Sequence, residues 1–348
     1  MKIVITGCAG FIGLNFLDYW TQKHPDDKII GIDSLTYAAN TDELSKRIEA
    51  NKDLTFYRAD ISDKDAVFKI FERETPDIVV NFAAETHVDR SIESADVFIK
   101  TNVLGTQVLL DASLKYNVKR FHQISTDEVY GDLELDSGEK FSEFSSMAPS
   151  SPYSASKAAA DMLTLAYHKT HGLGITISRS SNNYGKYQNS EKMIPHTAER
   201  LLFGARAEVY GNGKNIRNWL HVSDHCAAIE KIILSGREGE IYNIGGETEL
   251  SNIELVLKIS TAIRKILISE IELEDTDTSN ADENIKNDIT EDFANEITDN
   301  IEFIADRKGH DRKYSLDSSK IKNELNWKPE TDFKSGLLET IKWIKDNY

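Results

Sequence analysis

The chain contains little cysteine: Cys8 and Cys226 are its only two in 348 residues. Two cysteines cannot build the disulfide framework of a small secreted domain, so a reducing cytoplasm is the expected location. Long apolar runs are also absent. No run reaches the ~18 residues that a membrane-spanning helix needs, and the first apolar stretch, Lys2 to Thr6, is too short for the core of a signal peptide. We therefore expect no membrane partner.

Basic residues are outnumbered, with 41 Lys and Arg against 58 Asp and Glu, for a net charge of −17. No basic stripe carries interleaved aromatic side chains, which argues against a nucleic-acid partner. Residues 270–302 hold 13 acidic residues and one lysine, or −12, which leaves only −5 for the rest of the chain. We therefore predict an acidic insertion at about residues 269–302. A solvated appendage is the default interpretation, and a partner-binding or oligomer-modulating element is the alternative.

Glycine, in contrast, is placed with a regular spacing near the start of the chain. Lys2 to Thr6 predicts a buried strand, and Gly7, Gly10 and Gly13 follow it at intervals of three before an apolar helical pattern begins. Gly7 allows a tight turn, Gly10 lets the backbone approach a pyrophosphate, and Gly13 lets the helix pack closely on the strand. The predicted cofactor contacts at this helix start also include Phe11 and Ile12.

An acidic residue at the end of the next strand selects the cofactor. Lys28 to Ile32 predicts a second strand, and Asp33 follows it, 20 residues after Gly13. A carboxylate at this place accepts hydrogen bonds from both ribose hydroxyls and repels a 2′-phosphate. The sequence therefore predicts NAD rather than NADP.

Strands and helices alternate through the first half of the chain. The predicted strands continue at 55–57, 78–82, 120–125 and 175–179, with helices at 64–73, 98–116 and 153–171. This alternation predicts an α/β fold with a doubly wound parallel sheet over residues 1–180. After this the pattern loosens, with helices predicted at 193–203, 222–234 and 253–266. Residues 181–348 are therefore predicted to form mainly a smaller, mixed α/β substrate-binding lobe.

Chemically active residues follow one of these strands. Thr126, Asp127 and Glu128 come after the strand that ends at Ser125, so they are expected at the carboxyl edge of the sheet, where open α/β sheets bind ligands. Two adjacent carboxylates suit an acid and a base with different protonation states, and burial of Asp127 near a second carboxylate favours its protonated form.

A tyrosine and a lysine share one face of the helix that follows. Ser151 and Pro152 supply an N-cap and a first-turn proline, which place Tyr153 and Lys157 four residues apart on that helix. A nearby ammonium favours the phenolate form of tyrosine. That phenolate is a base for a sugar hydroxyl while hydride leaves the same carbon. Lys157 is also placed to hold the nicotinamide ribose.

These segments resemble the extended short-chain dehydrogenase/reductase superfamily, which has a Rossmann fold, and within it the dTDP-glucose 4,6-dehydratases. The resemblance covers nearly the whole chain except the acidic insertion. The segments that carry it are residues 33–40, 83–92, 125–131, 151–157, 181–185, 242–246 and 309–312. The pair Asp127 and Glu128 discriminates most sharply, because the sister epimerases differ there and the decarboxylases keep only the glutamate.

The resemblance implies a lyase that works in three steps, in a pathway of deoxysugar biosynthesis. Tyr153, assisted by Thr126, takes the proton of the C4 hydroxyl while hydride passes to NAD. Glu128 then removes the C5 proton, which the new C4 carbonyl has acidified, and Asp127 protonates the departing C6 hydroxyl. Hydride returns to C6, and a 4-keto-6-deoxy sugar nucleotide is released.

The resemblance also implies binding residues. For the cofactor these are Asp60, Ile61, Ala83, Ala84, Thr86 and Thr101, beside the glycine loop, Asp33, Tyr153 and Lys157. For the nucleotide sugar they are His87, Asn183, Glu191, Lys192, Arg217, Asn252 and His310, and no metal site is implied. A guanidinium suits a diphosphate because it donates paired hydrogen bonds. His87 is equally well explained as a sugar contact or as a buried histidine with structural hydrogen bonds.

Several alternatives stay open at the level of sequence. Residues 186, 189 and 190 depart from the family pattern just before Glu191, where the base is expected, so dTDP-glucose is favoured and UDP-glucose is next. One methyl group distinguishes the two bases, which is worth only about 1 to 3 kcal/mol. A 4-epimerase, a uronic acid decarboxylase and a non-catalytic NAD-binding protein are the competing functions.

We also expect a homodimer. Family members pair through a bundle of two helices, here Val103 to Tyr116 and Ala155 to His171. The second of these carries Leu163, Leu165 and Tyr167 on differing faces, which is more apolar surface than one sheet face requires.

Overall fold

The computed structural model describes residues 1–274 and 301–347. Its strands are, in chain order, β1 (Lys2–Thr6), β2 (Lys28–Asp33), β3 (Leu54–Arg58), β4 (Ile78–Asn81), β5 (Arg120–Thr126), β6 (Ile175–Ser180), β7 (Asn182–Tyr184), β8 (Ala207–Tyr210), β9 (Ile216–His221), β10 (Glu240–Ile244), β11 (Thr248–Ser251) and β12 (Ile301–Ile304). The six strands predicted in the first half of the chain all form, with ends that differ by at most one residue.

The helices alternate with these strands. They are α1 (Phe11–Lys23), α2 (Thr41–Ala50), α3 (Lys64–Glu74), α4 (Val88–Glu93), α5 (Asp96–Phe98), α6 (Thr106–Lys115), α7 (Pro152–His171), α8 (Met193–Leu202), α9 (Val222–Ser235), α10 (Asn252–Glu274), α11 (Ser319–Leu325) and α12 (Phe333–Asn347). A π-helix, Ile99–Gly105, joins α5 to α6, and a short 3₁₀ helix, Asp127–Tyr130, follows β5. None of the helices in the described part of the chain is both long and apolar enough to cross a membrane.

The large sheet has seven parallel strands in the order β3-β2-β1-β4-β5-β6-β10. The chain winds outward from β1 in one direction through β2 and β3, and in the other through β4, β5 and β6. This order confirms the predicted doubly wound fold. It also leaves a crevice at the carboxyl ends of β1 and β4, where the winding direction reverses and where such sheets bind ligands.

Apolar helix faces cover both sides of this sheet. Leu14 and Trp20 of α1 pack with Ile229 of α9 on one side, and Val67 of α3 packs with Leu109 of α6 on the other. The strands between them are buried on both faces, which explains why their sequences are continuously apolar rather than alternating.

The second half of the chain divides between two layers. A three-stranded sheet, β11-β9-β7, and a two-stranded sheet, β12-β8, form a smaller mixed part together with α8, α10 and α12. Strand β10 returns to the large sheet beside β6. The residues after 180 therefore extend the large sheet as well as building the smaller layer.

The predicted acidic insertion begins inside a helix. The helix predicted at 253–266 extends as α10 to Glu274, so residues 269–274 belong to it. Residues 301 and 302 begin β12, which pairs with β8. The remainder of the predicted insertion, residues 275–300, lies outside the described residues.

Candidate active site

The glycine loop is shaped by the close approach of three backbone segments. Gly7 has φ of +64°, and a Cβ at this residue would lie 2.7 Å from the nitrogen of Ala83, which follows β4. A Cβ on Gly13 would lie 2.1 Å from the carbonyl oxygen of Gly7. Gly10 caps α1, and a Cβ there would meet only the Gly7 oxygen, at 3.3 Å. The loop therefore lies tightly in the crevice between β1 and β4, as the spacing predicted.

Asp33 is fixed beside this loop by backbone donors. Its Oδ2 accepts the N–H of Ala9 at 2.9 Å, and its Oδ1 accepts the N–H of Leu35 at 2.8 Å. Burial raises the pKa of this carboxyl, and the two backbone hydrogen bonds oppose that shift. Each carboxylate oxygen retains a second lone pair, which suits the paired hydroxyls of a ribose.

The other predicted cofactor residues surround the same crevice. Asp60 accepts Lys100 Nζ at 2.9 Å, and Ile61 is buried against Gly105 of the π-helix. The Ala83 nitrogen donates to Thr6 Oγ1 at 3.2 Å. The rest of the set follows the end of β4 or lies in the π-helix: Ala84, Thr86 and Thr101.

Two further features test whether a dinucleotide fits here. Helix α1 begins at Phe11 with no side-chain cap, so the N–H groups of its first turn, including that of Ile12, face the loop without a side-chain acceptor. Ser125 Oγ, at the end of β5, is buried and has no hydrogen-bond partner among the described residues. A glycine cradle, a free helix N-terminus and an orphaned hydroxyl together fit the phosphates and the nicotinamide ribose of NAD.

Thr126, Asp127 and Glu128 lie at the carboxyl end of β5, as predicted. Thr126 caps the short 3₁₀ helix because its Oγ1 accepts the N–H of Glu128 at 3.2 Å. Asp127 is 2% exposed, and its Oδ2 has no hydrogen-bond partner in the described part of the chain. Glu128 lines a cleft with a volume of about 430 Å³.

The electrostatics of this pair favour a protonated Asp127. Burial, and then the neighbouring Glu128, raise its pKa to about 8, while Arg217 on β9 acts in the opposite direction. Burial also raises the pKa of Glu128, again against Arg217. At neutral pH Asp127 therefore holds a proton, as the sequence predicted, while Arg217 favours the charged form of both carboxyls.

Tyr153 and Lys157 lie on the first turns of α7, whose start has the predicted form. Ser151 Oγ accepts the N–H of Ser154 at 3.0 Å, Ser154 Oγ accepts the N–H of Ser151 at 3.0 Å, and Pro152 is the first helical residue. Lys157 Nζ donates to the carbonyl of Ile124 in β5 at 2.6 Å, and burial lowers its pKa to about 8.

The phenol of Tyr153 differs from the expectation. We expected a depressed pKa, but burial raises the pKa of Tyr153, and Glu128 and Asp127 raise it further. The Thr126 hydroxyl opposes this through a hydrogen bond to the phenol. Burial is the largest of these effects, and the charge of Glu128 adds to it, so the phenolate needs an additional positive charge in the crevice.

The cleft beside Glu128 collects most of the predicted substrate residues. Those that line it are His87, Glu191, Lys192, Arg217, Asn252 and His310, and Thr86, predicted for the cofactor, lines it as well. Arg217 Nη2 donates to the Asp311 carbonyl at 2.8 Å, and its guanidinium lies 4.4 Å from the centre of the Tyr314 ring. The His310 Nδ1 pairs with Asp306 at 2.7 Å. Guanidinium, lysine and histidine thus face a cavity large enough for a nucleotide sugar.

Asn183 is an exception. Its amide nitrogen donates to the Ser181 carbonyl at 2.9 Å, and its Oδ1 lies 2.8 Å from His225 Nδ1. Both ends of this side chain are therefore used inside the protein, and Asn182, the residue before it, lines the cleft instead. Successive residues of a strand point to opposite sides, so the side of β7 that meets the cleft decides between the two asparagines, and the substrate contact of Asn183 stays a prediction.

Sequence reasoning missed a second arginine in the cleft. Arg307 makes two hydrogen bonds to Asp89, at 2.6 and 2.8 Å, and stacks 5.0 Å from the centre of the Tyr210 ring. Arg307, Asp89 and Tyr210 all line the cleft. Only the position of Arg307 two residues before the segment 309–312 pointed to it.

In the described part of the chain, no group of three or more His, Cys, Asp or Glu is arranged to hold a metal ion.

Comparisons with known proteins agree with this geometry. A family model described as GDP-mannose 4,6 dehydratase matches residues 4–340. The dTDP-glucose 4,6-dehydratase of an Actinoplanes strain is 43% identical over 353 residues, which cover 100% of this chain and 98% of that protein. The chain belongs to the dTDP-glucose 4,6-dehydratase family. The Haemophilus influenzae member is also 43% identical, over 100% of this chain and 98% of that protein.

A solved structure of a family member extends the agreement to the cofactor. DesIV, a dTDP-glucose 4,6-dehydratase from Streptomyces venezuelae solved with NAD bound, has a TM-score of 0.86 and 40% identity, covering 100% of this chain and 98% of that chain. The predictions of the family, of an NAD-dependent hydro-lyase and of a Rossmann fold are therefore confirmed.

Proposed function

We propose that the chain converts dTDP-glucose to dTDP-4-keto-6-deoxy-glucose with the residue roles that the resemblance implied. The observation that carries this proposal is a buried, protonated Asp127 next to Glu128, at the edge of a cleft that also contains Arg217. An epimerase moves a hydride without losing water and needs no such acid. A dehydratase needs both an acid and a base on neighbouring sugar carbons.

Oxidation at C4 uses Tyr153 and Thr126. Tyr153 accepts the proton of the C4 hydroxyl, and Thr126, which hydrogen-bonds the phenol, keeps that oxygen oriented. NAD, when bound, supplies the acceptor for the C4 hydride, returns the hydride to C6, and brings a positive ring charge that opposes the two carboxyls beside Tyr153. Lys157, anchored on the Ile124 carbonyl, holds the nicotinamide ribose.

Elimination uses the two carboxyls. Glu128 removes the C5 proton, which the C4 carbonyl has made acidic, and Asp127 gives its proton to the departing C6 hydroxyl, which leaves as water. Their adjacent positions at a strand end direct them to neighbouring carbons. Glu128 then returns a proton to C5 when C6 is reduced. The starting states are restored once Tyr153 has released the proton that it took from the C4 hydroxyl and Asp127 has regained one from solvent.

The cleft binds the rest of the nucleotide. Arg217 and Lys192 neutralise the diphosphate, and Asn182 takes the place in this set that the sequence had given to Asn183. Asn252 also contacts the diphosphate, and His310 lies near the nucleotide; both line the cleft. Thymine is the preferred base in this proposal, and uracil is the alternative that the experiment distinguishes.

The test is incubation of the purified protein with dTDP-glucose and, separately, with UDP-glucose. The alkaline absorbance of a 4-keto sugar and a mass loss of one water are followed. Water loss with dTDP-glucose alone supports both the reaction and the base. Water loss with UDP-glucose only moves the base assignment, and no water loss from either, with NAD bound, overturns the proposal.

The same proposal includes a cytoplasmic homodimer. The supporting observation is apolar surface on the helices around the π-helix and on α7, although it is not formed by the leucines that suggested it. Leu163 and Leu165 pack partly against the protein's own core. The exposed side chains are instead Val97, Ile99, Leu104, Leu114 and Met162. A monomer in sedimentation would contradict this part of the proposal.

A further inference from the structure

Glu191 is the centre of a charged cluster on the rim of the cleft. Its Oε2 lies 3.5 Å from His87 Nε2 and 3.8 Å from an Arg90 nitrogen, and its Oε1 lies 3.8 Å from Lys192 Nζ. The same Oε1 accepts the hydroxyl of Tyr37 at 3.2 Å. The carboxylate thus faces two cationic side chains, one imidazole and one phenol, and only 14% of its side chain is exposed.

These partners come from loops that follow different strands. Tyr37 belongs to the loop between β2 and α2, which starts at Ser34 and ends at Asn40. The N–H of Asn40 donates to the Ala9 carbonyl in the glycine loop at 2.8 Å, so this loop runs along the cofactor crevice. Arg90 lies in α4, after β4, and Glu191 precedes α8 in the smaller part of the protein.

A surface stack covers this junction. The Arg90 guanidinium lies 3.7 Å from the centre of the Tyr37 ring, within the range of a cation–π contact. Tyr37 is 45% exposed and the Arg90 side chain 50%, whereas Glu191 is mostly covered. The stack is therefore the outer layer, and it connects the ribose side of the crevice to the substrate cleft through the buried carboxylate.

The proposed reaction gives such a connection a purpose. The hydride taken from C4 returns to C6 only after water has left, so the reduced cofactor has to stay bound throughout the elimination. Its loss would leave an oxidised sugar with no hydride donor. A contact that joins the loop beside the cofactor to the segment beside the substrate would oppose this loss.

We propose that Tyr37, Arg90 and Glu191 form a clasp over the crevice that retains the reduced cofactor between the two hydride transfers. Tyr37 and Arg90 act as positioning residues, because they touch Glu191 and each other rather than the reacting atoms. The purpose of the clasp rests on the proposed function, but its effect on cofactor release does not.

The experiment measures release of NADH from the full-length protein without substrate. Protein loaded with NADH is mixed with excess NAD, and the loss of energy transfer from protein tryptophan to NADH gives the release rate. The variants are Tyr37→Phe, which removes the hydroxyl bond to Glu191, Arg90→Met, which removes the cation, and the double variant. Arg73→Met is the matched control, because Arg73 lies 6.0 Å from the Tyr57 ring centre and 3.5 Å from Glu74, in a similar trio at α3.

The clasp predicts that the double variant releases NADH about tenfold faster, which corresponds to about 1.4 kcal/mol, while the Arg73→Met protein matches the unaltered one. During turnover, the double variant is expected to release free NADH and a 4-keto-glucose nucleotide that has kept its C6 hydroxyl. An unchanged release rate in a folded double variant overturns the clasp. If the unaltered protein does not dehydrate dTDP-glucose while the double variant still releases NADH faster, the proposed function is overturned and the clasp is not.

Discussion

The cofactor crevice and the substrate cleft are built in different ways. The crevice lies between the carboxyl ends of β1 and β4, with the end of β2 beside it, and backbone geometry defines it: Gly7, Gly13 and the two N–H groups that hold Asp33. The cleft is made by side chains from segments far apart in the chain. Arg307 and Asp89, for example, are 218 residues apart.

The proposed reacting groups follow β5 of the large sheet or lie on α7, whereas the smaller part supplies the charge of Arg217 and other residues that line the cleft. Asp127 and Glu128 follow the carboxyl end of β5, and Tyr153 lies on the first turn of α7. Arg217 reaches them from β9 and acts on their pKa values. The comparison teaches that the large sheet and α7 hold the proposed reacting groups, and that the smaller part acts on their pKa values through Arg217.

Glu128→Gln is expected to have the largest effect and tests whether the chemistry is confined to the sheet. Dehydration of dTDP-glucose should fall by about 10²–10⁴-fold, the usual contribution of a general base. C4 oxidation should continue, because Tyr153 performs it, so absorbance of the reduced cofactor should accumulate in a single turnover. Glu139→Gln, at an exposed residue, is the control. Equal loss of both steps would show that the two roles are not separate.

Gly13→Ala tests whether backbone packing alone defines the crevice. The added methyl would lie 2.1 Å from the Gly7 oxygen, so the loop must move, at a cost of about 1–3 kcal/mol. We expect a matching loss of unfolding free energy in denaturant titrations and weaker NAD binding. Gly138→Ala is the control, because nothing lies within 4 Å of its added Cβ. Identical behaviour of the two variants would refute the tight-loop account.

Arg217→Met tests whether the smaller part acts on the chemistry. Dehydration needs protonated Asp127, so its rate should fall as pH rises through the Asp127 pKa, about 8. Arg217 lowers that pKa, and its removal should move the alkaline limb of the kcat profile to higher pH by about one unit, equivalent to about 1.4 kcal/mol. KM should also rise. Arg237→Met, at an exposed residue, is the control. If KM rises but the alkaline limb of the kcat profile does not move, Arg217 binds the substrate without acting on the pKa of Asp127.

The two adjacent asparagines of β7 provide the finest test. Asn183→Ala should lower the unfolding free energy by about 1–3 kcal/mol, because it leaves buried partners such as His225 unpaired. Asn182→Ala should instead raise KM for the nucleotide sugar with little loss of stability. Denaturant titration and initial-rate kinetics on both variants measure the two effects. If Asn183→Ala raises KM and Asn182→Ala lowers the unfolding free energy, the prediction that Asn183 contacts the substrate holds instead.

The same contrast explains what the sequence could predict. The glycine loop, Asp33, the Asp127–Glu128 pair and the Tyr153–Lys157 pair are local patterns on single elements, and the structure places them as expected. The choice between Asn182 and Asn183 depends on which face of β7 meets the cleft, and no local pattern defines that register. Arg307 was missed because its partner Asp89 lies in α4, and only the tertiary fold brings them together.

The prediction of a depressed pKa for Tyr153 was wrong for a related reason. The four-residue spacing to Lys157 is visible in sequence, but burial and the approach of Glu128 and Asp127 from β5 are tertiary effects. In sequence, Tyr153 has only its lysine as a charged neighbour on the helix. In the structure, burial has the largest effect on the pKa of Tyr153, and the carboxyl groups add to it.

The central claim is that one hydride leaves C4 and returns to C6 of the same sugar while one water departs. It is tested most directly with dTDP-glucose carrying deuterium at C4 and mass spectrometry of the product. The account predicts a product that has lost one water and holds the deuterium at C6. A product of unchanged mass, or one that has lost water but carries no deuterium, would contradict it.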